Sequence, residues 1–188
     1  MGQRVETKLF KPDFGDCLPM VSVPALKQRM LMLTDYETCS GCQSCVMACS
    51  LTKMKVFSPS KSLVTLRKVE DRCLGVPVVC EHCDDPPCQA ACPVSAITKD
   101  HSSGVVSVNR ELCTGCKTCE KACPFGAGTI KFWDDRAIVC DLCNGDPACV
   151  RTCTQKALMF LPATRATVAR KAELARRRRS ILASIGGI

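Results

Sequence analysis

Sixteen of the eighteen cysteines in this 188-residue chain fall into four quartets between Cys39 and Cys153, and each quartet closes on the same C-x3-C step. The first (Cys39, Cys42, Cys45, Cys49) and the third (Cys113, Cys116, Cys119, Cys123) read C-x2-C-x2-C-x3-C. The second (Cys80, Cys83, Cys88, Cys92) widens the middle gap, and the fourth (Cys140, Cys143, Cys149, Cys153) widens it further. Such a repeat constrains the fold more than any hydrophobic pattern does, because each loop must curl around whatever its sulfurs hold. Only 4% of the residues are aromatic. An ordinary core would lack its largest packing groups, so something else has to organise the interior.

The quartet spacing is that of the bacterial ferredoxin run, in which three cysteines hold one 4Fe-4S cluster and the fourth ligates the other cluster of a pair. A C-x2-C-x2-C loop turns three sulfurs toward one cube, and the x3 step, about one helical turn, carries the last sulfur out toward a neighbour. Gly41 and Gly115 suit a close approach of backbone to cluster. Zinc knuckles also use C-x2-C, but their ligand pairs are usually a dozen or more residues apart, whereas here four cysteines crowd into eleven to fourteen positions, four times over. A disulfide scaffold would need an export segment, and residues 1–15 are charged and mixed throughout.

The same residues suggest an α+β fold of two ferredoxin-like modules, with small hairpins and short helices around four clusters. Asp85-Pro86 and Asp146-Pro147 are suited to be N-cap and first residue of short helices ending near Cys92 and Cys153. Strand-like segments lie at Leu63–Val69, at Ala96–Lys99 with Val105–Val108, and at Thr129–Trp133 with Arg136–Val139 across Asp134-Asp135. The expected layout is an N-terminal extension over 1–30, a four-cluster domain over 31–162, and a basic helical tail over 163–188. Within that domain the inner module covers about 73–133 and the outer one 31–72 with 134–162. Cys17 and Cys73, outside the quartets, are expected as small buried hydrophobes, and His82 and His101 as plain loop histidines.

The formal charge of +8 would ordinarily suggest an acidic partner such as nucleic acid. Each oxidised 4Fe-4S core with four thiolates carries roughly −2, so four of them add about −8 and bring the loaded protein near neutrality. What remains uneven is the tail, where seven basic residues from Arg165 to Arg179 face one acid, Glu173. Val168, Ala169, Ala172, Ala175, Ile181, Leu182 and Ile185 offer an apolar stripe for a helix from Thr164, expected to dock on a partner subunit. No aromatic residue lies there to stack on bases, which argues against nucleic acid. There is no run of 18 apolar residues, no twin arginine near the start, and Glu6 stands where a myristoylation site needs Ser or Thr. The expectation is a cytoplasmic chain, unless a partner with its own signal carries it elsewhere.

With these motifs the region from about Met32 to Pro162 resembles the four-cluster iron-sulfur subunits of molybdenum and tungsten oxidoreductases, hydrogenases and carbon monoxide dehydrogenases. The compact fourth quartet is most similar to the carriers paired with tungsten-containing aldehyde oxidoreductases. The resemblance implies that inner quartets exchange ligands with each other and outer ones likewise. Cys39, Cys42, Cys45 and Cys153 would then hold one cluster, and Cys140, Cys143, Cys149 and Cys49 its mate. The inner clusters would take Cys80, Cys83, Cys88 with Cys123, and Cys113, Cys116, Cys119 with Cys92. Proline follows the last cysteine only in the inner quartets (Pro93, Pro124); Ser50 and Thr154 take that place in the outer ones. The implied function is an electron-transfer subunit, not itself catalytic. Its partner would be a large tungsten or molybdenum pterin subunit of the aldehyde oxidoreductase or aromatic acyl-CoA reductase type, with a flavin or NAD redox subunit as a further partner. The alternatives are a carrier for a hydrogenase or carbon monoxide dehydrogenase and, more remotely, a redox sensor.

Overall fold

The computed structural model describes residues 29–70, 73–126 and 128–184. Cys17, Ile185 and all but the last two residues of the expected N-terminal extension lie outside them.

Four two-stranded antiparallel sheets carry the chain from one cysteine loop to the next. Strand β1 (Met30–Thr34) pairs with β8 (Leu158–Pro162), Met30 against Pro162 and Thr34 against Leu158, and so joins the two ends of the cysteine-rich region. Strand β2 (Thr65–Val69) pairs with β3 (Leu74–Val78), β4 (Ile97–Lys99) with β5 (Val106–Val108), and β6 (Ile130–Trp133) with β7 (Arg136–Val139). The last two hairpins fall within a residue of their sequence pattern. At the β6–β7 turn both Asp134 (φ 52°) and Asp135 (φ 58°) are left-handed, as a two-residue type I′ turn requires.

Strand β3 has no clear sequence signal, because Gly75 and Pro77 interrupt its alternation. Both suit their places. Pro77 needs no ladder donor on the outer edge of a two-stranded sheet. A side chain at Gly75 would press on Gly41 Cα at 3.0 Å and Cys39 Sγ at 3.4 Å, so the missing Cβ lets β3 lie against the first cysteine loop. Two strand pairs cross the boundaries drawn from sequence: β3, within 73–133, pairs with β2, and β7, within 134–162, pairs with β6.

Helices α1 (Ser44–Met54), α2 (Pro87–Ala90), α3 (Thr118–Lys121) and α4 (Ala148–Arg151) follow the four loops. In each, the third cysteine of the quartet is the second helical residue: Cys45, Cys88, Cys119 and Cys149. The Asp-Pro steps act one residue later than expected. Pro86 and Pro147, with extended ψ of 111° and 110°, are themselves the N-caps, and Pro87 and Ala148 open the helices. Asp146 instead pairs with Arg151.

Two cores result. The outer one gathers residues such as Met32, Val46, Leu63, Val64 and Leu158 around Cys45, Cys49, Cys140 and Cys149; the inner one gathers Ile97, Val106, Ile130 and Val139 around Cys119. Helix α5 (Arg165–Ser184) starts at a reciprocal cap, in which Thr167 N–H donates to Thr164 Oγ1 and Thr164 N–H to Thr167 Oγ1. It buries Leu174, Arg178 and Leu182, of which only Leu182 belongs to the expected stripe, and Val168 is left 44% exposed. Leu174 meets Leu31 and Leu33, and Leu182 meets Tyr36, Val76 and Val78. With these residues the helix covers the chain's own core, while Val168, Ala169 and Ala172 of the expected stripe stay exposed. Two expectations are corrected. Cys73 is exposed, at φ 50°, and His82 is buried at 4% exposure.

Candidate functional site

The cysteine loops share a backbone conformation that the sequence only half discloses. Gly41 (φ 73°) and Gln43 (φ 62°) flank Cys42, and Gly115 (φ 70°) and Lys117 (φ 61°) flank Cys116. In the fourth loop Leu142, Cys143 and Asn144 are all left-handed. Such turns bring successive N–H groups to one side, a concavity that favours negative charge. A Cβ on Gly115 would collide with the Asp135 carbonyl, so this glycine is needed both for its φ and for the β6–β7 turn to close over the loop. The sequence pointed to the two glycines; Gln43 and Lys117 carried no such signal.

Three cavities open between these loops, each lined by four cysteines of which three come from one quartet and one from another. The first takes Cys39, Cys42, Cys45 and Cys153. The second takes Cys80, Cys83, Cys88 and Cys123. The third takes Cys113, Cys116, Cys119 and Cys92. The remaining four also come together: Cys49, Cys140 and Cys149 are buried in one apolar cluster, and the charges of Cys49 and Cys143 both act on Cys140 and Cys149. Twelve of the sixteen quartet cysteines thus line cavities in fours, and Cys49 of the first quartet lies among those of the fourth.

Local donors support sulfur in its anionic form. Backbone N–H groups donate to sulfur from Leu63 to Cys49 (3.4 Å), from Ala96 to Cys92 (3.3 Å) and from Ala137 to Cys113 (3.3 Å). Hydrogen bonds from Ser44 and Thr118 hold the exposed thiols of Cys42 and Cys116 below the ordinary cysteine value. Inside, the balance is reversed. Burial first, then repulsion from neighbouring thiolates, pushes Cys45 and Cys88 up to about 11. Burial likewise pushes Cys140 up to about 12. Part of that repulsion crosses quartets: Cys153 acts on Cys45, Cys123 on Cys88 and Cys49 on Cys149.

The buried thiols among these cysteines resist ionisation unless a cationic centre joins them, and an iron-sulfur core bound by thiolates is such a centre. The residues fit the group. A pH effect follows. These thiols titrate higher in the folded, cluster-free chain than in the unfolded one, so the stability they contribute is full below about pH 9 and is lost as pH rises through 11–12. The urea midpoint of the cluster-free chain is expected to fall between pH 8.5 and 10.5. That of the iron-loaded protein should hold steady, because its thiols carry no proton to lose.

His82 has a structural role that the sequence did not reveal. Its Nδ1 accepts from the Val106 N–H (3.0 Å), which leaves the proton on Nε2 and ties the Cys80–Cys83 loop to β5. Burial, followed by Lys171 and Lys99, lowers its pKa to about 3, so it is neutral in ordinary conditions.

The chain matches a 4Fe-4S dicluster domain over residues 72–163. YsaA of Escherichia coli, named for electron transport, is 38% identical over 140 residues, spanning 69% of this chain and 88% of that protein. The polyferredoxin-like subunit of the aliphatic sulfonate oxidoreductase of Pyrococcus furiosus is 35% identical, over 68% of this chain and 73% of its own length. Formate hydrogenlyase subunit 2 of Escherichia coli is 34% identical, over 71% and 82%. Among solved structures, the active site complex BamBC of benzoyl coenzyme A reductase aligns at 19% identity with a TM-score of 0.43, over 83% of this chain and 95% of that one. Thiols grouped across quartets, a 4Fe-4S domain and relatives named as an electron transport protein and as a polyferredoxin-like subunit agree on one conclusion: the chain belongs to the ferredoxin-type 4Fe-4S proteins, electron-transfer subunits of oxidoreductase complexes that are not themselves catalytic.

Proposed function

We propose that this subunit carries four 4Fe-4S clusters in a row between a catalytic subunit and a second redox partner. The observation that carries this reading is the exchange of the fourth cysteine: Cys153 lies with the first quartet, Cys123 with the second and Cys92 with the third. Cys39, Cys42, Cys45 and Cys153 would hold one cluster, and Cys140, Cys143, Cys149 and Cys49 its mate. The inner clusters would be held by Cys80, Cys83, Cys88 and Cys123, and by Cys113, Cys116, Cys119 and Cys92. When bound, the clusters supply one-electron redox chemistry; the protein's part is to space them, exclude water and set their electrostatic surroundings. Cys80 packs against both cores and feels the charge of Cys140, which supports the Cys80 and Cys140 groups as neighbours in the middle of the row. Exposed Cys42 and Cys116 mark its two ends.

For the partner we favour a tungsten or molybdenum pterin subunit, with the sulfonate oxidoreductase relative in support of an oxidoreductase assembly. A flavin or NAD subunit at the other end would complete the path, and we place the complex in the cytoplasm. Among the described residues no helix is long and apolar enough to cross a membrane. The likeness to formate hydrogenlyase subunit 2 favours a second reading, a hydrogenase-type assembly. Anaerobic purification from the native host, with metals measured in the same sample, separates the two. About sixteen irons per chain together with tungsten or molybdenum is the expected result. Nickel would select the second reading, and about eight irons would overturn the four-cluster account.

A further inference from the structure

The loop from Cys80 to Cys83 has three cations about it, of which Lys99 and Arg178 are buried and Lys171 is half-buried. Lys99, its side chain 2% exposed, donates from Nζ to the carbonyl oxygens of His82 (2.8 Å) and Cys83 (2.6 Å). Lys171 of α5 donates to the carbonyl of Glu81 (2.5 Å). Arg178, two turns further along α5 and 1% exposed, pairs with the Glu81 carboxylate, and its guanidinium lies 5.1 Å from the centroid of the Phe125 ring. Glu81 and Phe125 both line the cavity of Cys80, Cys83, Cys88 and Cys123. Arg178 Nε and Nη1 are buried without a hydrogen-bond partner.

Two carboxylates oppose these cations. Glu81 is shared between Arg178 and Lys171, the latter at 3.9 Å. Asp84, 75% exposed, pairs with Arg29 at 2.5 Å and lies 3.7 Å from Lys99. An exposed carboxylate is screened by water far more than a buried ammonium is. The other groups differ. No charged side chain lines the Cys39 cavity. Lys117, at the Cys113 cavity, is exposed. Lys53, beside the Cys140 group, is matched by Asp141 at 2.5 Å.

Reduction adds negative charge to a cluster, and a buried cation stabilises that charge in inverse proportion to the local dielectric constant. We infer that Lys99, Lys171 and Arg178 make the cluster of Cys80, Cys83, Cys88 and Cys123 the highest-potential member of the row, the place where an electron rests. Helix α5 supplies two of the three charges, which makes the basic tail an electrostatic part of that site. The inference depends on the four-cluster reading proposed above.

Redox titration of the holoprotein followed by electron paramagnetic resonance, with iron measured in each sample, tests it. Cys88→Ser identifies the cluster's signal, as the one it removes or alters. In Lys99→Met and in Lys171→Met the reduced-to-oxidised ratio of that signal at a fixed poise should fall about tenfold, or about 59 mV for a one-electron couple. Lys99→Arg keeps the charge and should restore the wild-type ratio; Lys53→Met should leave it in place. If about sixteen irons are present and this couple is not the highest, or does not move in either methionine variant, the inference is overturned. A shift shared equally by all four couples overturns it too. Wild-type protein with about twelve irons, and no signal that responds to Cys88→Ser, would instead remove the four-cluster reading itself.

Discussion

Cys153→Ser is expected to disrupt the cluster of the first quartet, more than one hundred residues away in sequence, and to spare that of its own. Cys153 shares a cavity with Cys39, Cys42 and Cys45, whereas Cys140, Cys143 and Cys149 have Cys49 as their fourth neighbour. Serine is a poor iron ligand beside a thiolate, so the variant should lose up to about four irons or show one altered signal. The signal affected should be the one lost in Cys42→Ser and not the one lost in Cys143→Ser. Cys49→Ser should give the mirror result. If Cys153→Ser instead matched Cys143→Ser, each quartet would hold its own cluster and the exchange of ligands would be wrong.

The second large effect is expected at Arg178. Its side chain is 1% exposed and its partner Glu81 is 6% exposed, so removing the guanidinium leaves a buried carboxylate with only Lys171, at 3.9 Å, to face it. Breaking one side of a buried ion pair costs about 3–5 kcal/mol, a large part of the roughly 5–15 kcal/mol that holds a domain folded. Arg178→Met should therefore lower the urea midpoint sharply. Glu81→Gln in the same chain should recover much of the loss, because the orphaned charge is gone. The measurement is a double-mutant cycle on the iron-loaded protein. Equal midpoints for Arg178→Met and wild type would mean that α5 does not anchor through this pair. Leu182→Ala, which removes the other deeply buried contact of the helix, should cost about 2–5 kcal/mol.

Much of the site was legible because its chemistry is local. A C-x2-C-x2-C loop can curl only tightly, and the step to the last cysteine starts on a helix in every quartet, although among those last cysteines only Cys49 is itself helical. The hairpins β4–β5 and β6–β7 were legible for the same reason, each being two alternating runs across a turn with the right residues. What was missed is non-local or atypical. The β1–β8 pair joins segments at opposite ends of the cysteine-rich region, and no short window contains both strands. Strand β3 hides behind Gly75 and Pro77, tolerated because the strand is an edge lying on a cysteine loop. The face of α5 was misread because an arginine sits at its centre. A pattern search ranks Arg178 as solvent-facing, whereas in the fold Glu81 and the Phe125 ring receive it.

The residues alone determined that there would be four thiol loops with the spacing of 4Fe-4S ligands, and that short helices and hairpins would join them. Those properties follow from spacings of two to four residues, over which backbone geometry leaves few choices. Only the tertiary structure decided which distant sulfur lines each cavity, which face of α5 turns inward, and which loop the cations surround. One cysteine is chemically the same as another, and a cation's effect depends on distance and on how much water lies between. Both are set by how segments far apart in the chain pack together, and no local pattern encodes them.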